Sequence, residues 1–594
     1  MLNLFAVLML VVFSSVCSAN TSDILLSVNE KPCAEIVVPA DAIPSEQTAA
    51  AELAKHLKLV TGADFPIVTS ADRANQETRI FIGQTETTRR LMPDFDFRKL
   101  GRDGIVIRRT GSDLVLAGDR PRGTLYAVYT FLEDNVGCRW WTPDASYMPR
   151  KSTLRVQVRN LVYSPPFMCR ETFYKSVIGQ NPEFAARLKL NGHFQSMTPE
   201  WGGHYTILGF CHTFYQLIPP EKYFADHPEW FSERNGKRNH EQAQLCLTND
   251  QMRKELTRNA LEWIKKNPEA GIISISQNDC AGQCFCEKCR AVAEEEGAGS
   301  GAVIRFVNAV AEDIEKQYPG FMVETLAYYY TRIPPKHVKA RHNVIVRLCS
   351  IECDFSKPIT SPSNAEFYAN LKAWKKVAQN LYVWDYLMNL ENLLVPHPNW
   401  RVLGPNVRAF AKNNVVNLFE QGDGYNPDTN FAALRIWLMT HLMWNPSADE
   451  DRLIKDFLNS YYGPAGKYMH EFIDLTCDAI DNSGKKLPIF TRKYDFLTPK
   501  VINKANAIFD AAQKAVQDDD ELLRRVRLQR LALDQVIVAN SPAKDLPSGK
   551  ELEQVLDRFL TVSDQTGNNY RQEGIVMTPE YREQLKAKSS ESKP

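Results

Sequence analysis

Apolar positions along residues 35–150 follow two periods in turn, that of a β-strand and that of an α-helix. Residues 45–57 carry alanine and leucine at helical spacing behind Ser45, a residue type that caps helices. Short apolar runs bounded by turn residues indicate strands at residues 35–39, 79–83, 104–108 and 113–117. The pattern therefore predicts a compact α+β domain over residues 35–150.

A second rhythm begins after the proline-containing connection near residue 165. Eight apolar or aromatic runs alternate with helical stretches there, at residues 167–174, 192–197, 244–247, 271–278, 321–330, 343–351, 381–386 and 415–421. Eight strands with intervening helices are what a (β/α)8 barrel requires. We therefore predict an α/β fold in which a TIM-like (β/α)8 barrel occupies residues 165–430.

The pattern changes again beyond residue 430, where long helical periods replace the strand-like runs. These periods cover residues 431–444, 449–462, 500–518, 521–539 and 551–561. We predict a helical C-terminal domain over residues 431–580. The remaining residues, 581–594, are rich in charge and are predicted to be disordered.

The first 19 residues have the composition of a secretory signal peptide. Residues 2–16 are almost continuously apolar, and small residues precede a cleavage point after Ala19. A lipoprotein signal that uses Cys17 is the alternative, although the residues before Cys17 fit it poorly. The apolar run is shorter than the ~20 residues that span a bilayer. We therefore predict export to the periplasm, the cell surface or the medium, with no transmembrane segment.

Composition narrows the choice of partners. The 594 residues include 71 basic and 71 acidic side chains, which argues against a nucleic-acid partner. The motifs G-x-G-x-x-G, G-x-x-x-x-G-K-[ST], H-E-x-x-H and G-x-S-x-G do not occur in the sequence. Phosphate chemistry and acyl transfer therefore lose support, whereas the 10% of aromatic residues supply rings that build cores and stack on sugars.

Four cysteines follow one predicted strand closely, with the spacing C-x3-C-x-C-x2-C. Four converging thiolates bind zinc tetrahedrally, and the same four thiols can form two disulfides. A complete thiolate shell leaves no open position for a substrate, so we predict a structural role and no cofactor for catalysis. The candidate residues for structural zinc or disulfides are Cys280, Cys284, Cys286 and Cys289.

Polar and charged residues stand at the C-terminal ends of the predicted strands, the face on which barrel enzymes carry their active sites. The fourth run passes directly into Asn278 and Asp279. A carboxyl group at this rim can act as a general acid when its surroundings raise its pKa. Glycoside hydrolysis needs two carboxyl groups ~5–10 Å apart, or one carboxyl group and a substrate acetamido group. Further candidate acids at strand ends are Glu324, Glu352, Asp385 and Glu420.

Other side chains near the strand ends are candidates for substrate contact. Arg170 and Glu171, in the first run, can hold sugar hydroxyls or pair with each other, and His212 can contact substrate or belong to the core. Tyr328 and Trp384 offer aromatic surface to a sugar. Strand alternation leaves open whether Glu324 faces the barrel mouth or the helix layer.

These motifs together resemble an exported bacterial family of glycosidase-like barrels. They comprise residues 273–279 with the cysteine loop, and residues 324–330, 347–355, 383–386 and 419–422. Part of that family is classed as glycoside hydrolase family 163, which contains endo-β-N-acetylglucosaminidases acting on N-glycans. Residues 80–83 and the helix after Arg122 are similar to the α+β domain that precedes the barrel in β-hexosaminidases and α-glucuronidases. The resemblance covers residues 35–480.

The resemblance implies a retaining mechanism assisted by the 2-acetamido group of the substrate. Asn278 then orients the acetamido group and Asp279 protonates the leaving oxygen, with Glu352 as the competing acid. This Asn-Asp pair departs from the Asp-Glu pair of the β-hexosaminidases. The predicted function is an exported glycoside hydrolase that cleaves oligosaccharides or polysaccharides containing N-acetylhexosamine. Cleavage within the glycan chain, in endo fashion, is one form that this activity can take.

Two alternatives stay open. One is a glycosidase for uronic-acid polysaccharides, in which Arg170 or Arg347 pairs with the substrate carboxylate. The other is a glycan-binding surface protein without catalysis, because a fold does not determine a function.

Overall fold

The computed structural model describes residues 23–69, 76–541 and 543–591. The predicted signal peptide, residues 1–19, lies outside these ranges. Within them, no helix is both long enough and apolar enough to cross a membrane.

The N-terminal domain contains a mixed six-stranded sheet with two helices packed on it. The helices Pro44–Thr61 and Gly123–Phe131 contact each other and bury leucine and alanine side chains against the sheet. A smaller antiparallel sheet pairs Asp23–Val28 with Leu154–Gln157 and Lys31–Pro32. The strands of the large sheet, in spatial order, are Leu161–Tyr163, Ile105–Thr110, Asp113–Gly118, Thr78–Ile82, Ala34–Val37 and Ile67–Val68.

The central part of the chain forms a curled sheet of seven parallel strands. The chain's first strand in this sheet lies beside its last, as the order of a barrel demands. The strands, in spatial order, are Cys169–Thr172, Val415–Gln421, Asn380–Tyr386, Val344–Cys349, Met322–Ala327, Ile272–Ser274 and Ile207–Leu208. The carboxyl ends of all seven strands therefore meet at one edge.

Two of the predicted barrel strands are wrong. Residues 192–197 contain the short 3-10 helix His193–Gln195, and residues 244–247 make a single bridge to Phe231 in place of a strand. Asn191 instead links the neighbouring segments, since its N–H donates to the Arg170 carbonyl (3.1 Å) and its carbonyl accepts from the Tyr205 N–H (2.9 Å). The irregular segment around Asn191 thus takes the place of a strand between Cys169–Thr172 and Ile207–Leu208, and the strands of the described residues form a seven-stranded open sheet.

Helices cover the outer face of the parallel sheet and continue into the C-terminal region. The longer ones between strands are Asp250–Lys266, Glu287–Glu296, Ser300–Gln317, Ala365–Val377 and Leu403–Lys412. Those after the last strand are Ala432–Trp444, Glu450–Tyr461, Gly466–Ser483, Pro499–Ala515, Asp520–Asn540 and Lys550–Thr566. Their apolar faces share one hydrophobic core with the sheet.

A short hairpin after these helices returns to the carboxyl edge of the parallel sheet. Its strands are Tyr570–Gln572 and Ile575–Val576. Leu393 N–H donates to the Arg571 carbonyl (3.0 Å) and Glu573 N–H donates to the Leu390 carbonyl (3.2 Å). The helix Pro579–Glu591 follows and occupies most of the segment that was expected to be disordered.

Candidate active site

The pleat of the parallel strands sorts the strand-end residues into an inner and an outer set. Inside the curl of the sheet, Arg347 is buried with its guanidinium 4.3 Å from the ring centre of Tyr382 and 4.4 Å from that of Phe210. Its Nε lies 3.1 Å from Glu324 Oε1. Burial raises the pKa of Glu324, and the positive charge of Arg347 opposes that shift. Glu324 therefore faces the interior, where it pairs with Arg347.

Glu171 is the second buried carboxylate of this interior. Its Oε1 accepts from the Phe194 N–H (2.7 Å) and its Oε2 accepts from the Tyr382 hydroxyl (3.1 Å). Burial raises the pKa of Glu171 to about 7. Since Glu171 and Glu324 are both 0% exposed, neither offers an oxygen atom to a substrate in this conformation.

Asp385 and Glu420 lie on the opposite face of the same strands. They are neighbours in register, buried between the sheet and the helices, and Ser350 donates to Asp385. Burial raises the pKa of Asp385 to about 6; burial, with the charge of Asp385, raises that of Glu420. Strand alternation explains the placement, because Trp384 and Phe419 take the inner positions. The prediction that Asp385 and Glu420 contact substrate is wrong for this arrangement.

Arg170 joins two domains and does not reach the carboxyl edge. Its Nη2 donates to Asp103 Oδ2 of the N-terminal domain (2.8 Å), and Arg122 Nε donates to the other oxygen of Asp103 (2.8 Å). Its remaining donors bond the carbonyls of Lys189 and Phe167. Arg170 is 1% exposed, so its predicted contact with substrate is replaced by an interdomain ion pair.

Asp279 lies at the carboxyl edge, exposed, and accepts from the Tyr328 hydroxyl at 3.2 Å. Asn278 is tied to the backbone, since its Nδ2 donates to the Ala243 carbonyl (2.8 Å) and its own N–H donates to Gln244 Oε1 (2.8 Å). These bonds hold the turn that presents Asp279.

The C-terminal hairpin brings a second carboxylate to this edge, Glu573. Gln421 connects it to the sheet, because Gln421 Nε2 donates to Glu573 Oε1 (3.0 Å) and Gln421 Oε1 accepts from Trp384 Nε1 (2.8 Å). Loss of surrounding water and the negative charge of Asp279 raise the pKa of Glu573. We call the edge formed by Asp279, Tyr328, Trp384, Gln421 and Glu573 the mouth; Asp279 and Glu573 are its exposed members.

Glu573 and Gln421 were missed by the sequence analysis. Gln421 ends the last strand two residues beyond Phe419 and was detectable from the alternation of that strand. Glu573 stands far along the chain beyond the predicted barrel, and no local signal connects it with Asp279.

His212 and Glu352 flank the mouth in different ways. His212 Nδ1 lies 2.7 Å from the Gln277 carbonyl oxygen, which fixes the imidazole near Tyr328. An open pocket of ≈ 750 Å³ adjoins His212 and is lined by Tyr215, Gln216, Phe224 and His240 among others. Glu352 is exposed and its Oε2 lies 2.8 Å from Arg332 Nη1. Glu352 therefore forms a surface ion pair with Arg332.

The cysteine loop differs in one member from the predicted set. Cys246, Cys284, Cys286 and Cys289 have all their Sγ atoms within 4.8 Å of one another. Cys280 lies apart, with its Sγ 3.3 Å from Gln244 Nε2 and 3.6 Å from the Ala243 carbonyl. Cys246 therefore replaces Cys280 in the cluster.

The mouth combines the groups that sugar chemistry requires. Asp279 can exchange a proton with a bound oxygen atom, and Glu573 adds a carboxylate whose pKa is raised. Trp384 is half-buried and leaves part of its ring for a sugar to stack on, whereas Tyr328 is buried and contributes its hydroxyl to Asp279. The arrangement suits hydrolysis of a glycosidic bond.

Two family models match the sequence. Residues 140–474 match the one described as Domain of unknown function (DUF4838), which spans the parallel sheet and more than half of the 594 residues. Residues 24–131 match the one described as Glycosyl hydrolase family 67 N-terminus, which supports a glycosidase. No curated protein matches the chain.

Solved structures of glycosidases show distant likeness. A GH138 enzyme targeting pectin rhamnogalacturonan II is similar over 90% of this chain and 71% of its own, at 10% identity and a TM-score of 0.48. A mutant Streptomyces plicatus β-hexosaminidase in complex with the product GlcNAc is similar over 74% of this chain and 91% of its own, at 11% identity and a TM-score of 0.41. Both TM-scores lie below 0.5, which is too low to transfer a substrate or a mechanism.

Proposed function

The chain belongs to the family described as a domain of unknown function (DUF4838), and on that premise we propose that it is a glycoside hydrolase whose active site is the mouth. The observation that carries this proposal is that two exposed carboxylates, Asp279 and Glu573, lie at the same edge, where loss of surrounding water and the nearby charge of Asp279 raise the pKa of Glu573. The match of residues 24–131 to a glycosyl hydrolase domain supports the same reaction class.

Within this proposal, Asp279 is the general acid and base. It is exposed at a strand end, and the Tyr328 hydroxyl orients one of its oxygens at 3.2 Å. Glu573 is the second carboxylate of the site, which either stabilises the developing positive charge on the sugar or orients its acetamido group. Glu352 loses this role to Asp279, because Arg332 already binds it at the surface.

We further propose that the substrate contains an N-acetylhexosamine, as the resemblance of the strand-end motifs implies. Export of the chain belongs to the same proposal, as does a (β/α)8-type barrel in which the irregular segment around Asn191 takes the place of one strand. The open pocket beside His212, lined by Tyr215 and Phe224 among others, leaves room for an extended glycan. Endo action on an N-glycan fits that room.

Neither of the two arginines on which the uronic-acid alternative depends is accessible to a substrate. Arg170 is bound to Asp103, and Arg347 is 0% exposed between Phe210 and Tyr382. Neither guanidinium can reach a substrate carboxylate in this conformation.

The mature chain should be incubated with N-glycans, chitooligosaccharides, aryl N-acetylhexosaminides and aryl uronides, with products identified by mass spectrometry. We expect products that end in N-acetylhexosamine, and their loss in Asp279→Asn. Release of uronic acid alone would select the alternative substrate class. Binding of glycans without any product would reject hydrolysis.

A further inference from the structure

Four thiols from two separate segments of the chain converge beside the turn that carries Asp279. Cys246 follows Gln244 in an irregular segment, whereas Cys284, Cys286 and Cys289 lie in and after the loop that precedes the helix Glu287–Glu296. The Sγ of Cys246 lies 3.7 Å from that of Cys286 and 3.8 Å from that of Cys289.

These separations fit a metal and not a disulfide. Sulfur atoms in a disulfide are ~2.05 Å apart. Zinc binds thiolate sulfur at ~2.3 Å, so the edges of a tetrahedral four-sulfur site measure about 3.8 Å. The two separations measured from Cys246 agree with such edges, and all four Sγ atoms lie within 4.8 Å of one another.

The groups around the cluster are hydrogen-bond donors. The Glu233 N–H lies 3.2 Å from Cys284 Sγ, the Thr248 hydroxyl 3.2 Å from Cys289 Sγ, and Arg238 Nη1 3.6 Å from Cys284 Sγ. N–H and O–H groups aimed at sulfur, together with a guanidinium, reduce the repulsion among four thiolates around a divalent ion. An apolar pair of disulfides would need none of them.

We propose that Cys246, Cys284, Cys286 and Cys289 bind one Zn²⁺ ion in a structural site. Four protein thiolates complete the tetrahedron, so the ion has no position for water or substrate. The inference does not depend on the glycosidase assignment, because it rests on the sulfur geometry and on the donors around the sulfur atoms.

The site would hold the turn that presents Asp279. Gln244, two residues before Cys246, bonds both sides of that turn: its Nε2 donates to the carbonyls of Asn278 (2.9 Å) and Cys280 (2.7 Å). A metal that ties Cys246 to Cys286 and Cys289 therefore fixes the segment of Gln244 against the cysteine loop. Loss of the ion should loosen the turn.

Metal content of the purified full chain, measured by inductively coupled plasma mass spectrometry, tests the site. We expect one zinc per chain in the wild type and in Cys280→Ser, and less than a tenth of that in Cys286→Ser. Cys280→Ser is the matched control, since it lies in the same loop outside the cluster. Equal loss of zinc in both variants, or iron in place of zinc, would overturn the assignment.

Thiol mapping on the wild type keeps the test independent of how the variants fold. Without any reductant, we expect iodoacetamide to modify Cys286 and Cys289 only after a strong zinc chelator is added, and the chelator to lower the melting temperature by several degrees. An intact mass 4 Da below that of the reduced chain, with no metal bound, would show two disulfides and reject the proposal.

Discussion

The buried carboxylates inside the sheet and the carboxylates of the mouth belong to the same region of the fold but have opposite surroundings. Glu171 and Glu324 are enclosed by aromatic rings and share Arg347. Asp279 and Glu573 are exposed and have hydroxyl or amide donors as partners. The first pair must be neutralised to remain buried, whereas the second pair can meet a ligand. A position at a strand end is therefore not sufficient for a catalytic role, because the carboxylate must also be accessible to a ligand.

The largest expected effect is a loss of activity when a carboxylate of the mouth is changed. Asp279→Asn should lower kcat/KM on the glycan that the panel identifies by ~10²–10⁴-fold, the contribution typical of general acid–base catalysis. Its melting temperature should stay within about 1 °C of the wild type, because Asp279 is exposed. Steady-state kinetics and a thermal melt measure both quantities. A variant that retains full turnover would remove Asp279 from the mechanism.

The second effect appears in stability. Arg347→Met leaves Glu324 buried without its positive partner and should lower the free energy of unfolding by ~3–5 kcal/mol. Urea denaturation followed by tryptophan fluorescence measures it. Adding Glu324→Leu should restore much of the loss, since no buried charge then remains unpaired. A loss below ~1 kcal/mol in the single variant would mean that Glu324 is protonated and needs no counter-charge.

The third effect concerns pH. Because the pKa of Glu171 is raised to about 7 from 4.5, the folded chain keeps a proton that the unfolded chain releases between these values. The contribution of Glu171 to the free energy of unfolding should therefore be fully present below pH 4.5, fall between pH 4.5 and 7, and be lost above about pH 7. In Glu171→Gln this fall should be less steep by up to ~1.4 kcal/mol per pH unit. Urea denaturation at pH 5, 6, 7 and 8 provides the comparison, and parallel curves would show that Glu171 titrates normally.

The smallest effect belongs to Glu352, an exposed strand-end acid outside the mouth. Glu352→Gln removes one surface ion pair with Arg332 and should change the free energy of unfolding by less than ~1 kcal/mol. Its kcat/KM should remain within about twofold of the wild type. A large loss of activity would indicate that Glu352, and not Asp279, is the general acid.

The periodicity of apolar residues predicted the type of most secondary-structure elements, but it predicted less well where individual side chains lie. The alternation of apolar runs with helices predicted a parallel sheet with helices around it, and that architecture is present. The runs at 192–197 and 244–247 failed, because short irregular segments can be as apolar as strands when they are buried. Trp384 and Asp385 were both expected at the substrate, yet adjacent strand residues point to opposite faces.

Long-range placement could not be predicted from local patterns. Cys246 lies 40 residues before Cys286 along the chain and close to it in space. Glu573 reaches the mouth only because a hairpin returns across the carboxyl edge. Arg170 was expected to meet substrate, but the docking of the N-terminal domain gives it Asp103. Each of these contacts depends on how whole domains pack.

By itself, the sequence determined most of the segments that become helices and strands, and the position of a cysteine-rich loop directly after Asp279. The helices and strands depend on the spacing of apolar and polar residues, a pattern that is local in the sequence. The tertiary structure alone decided which acids are buried and which are exposed, which four thiols converge, and that Glu573 joins Asp279. Burial and proximity come from packing between distant segments, and they determine which carboxylate can reach a sugar.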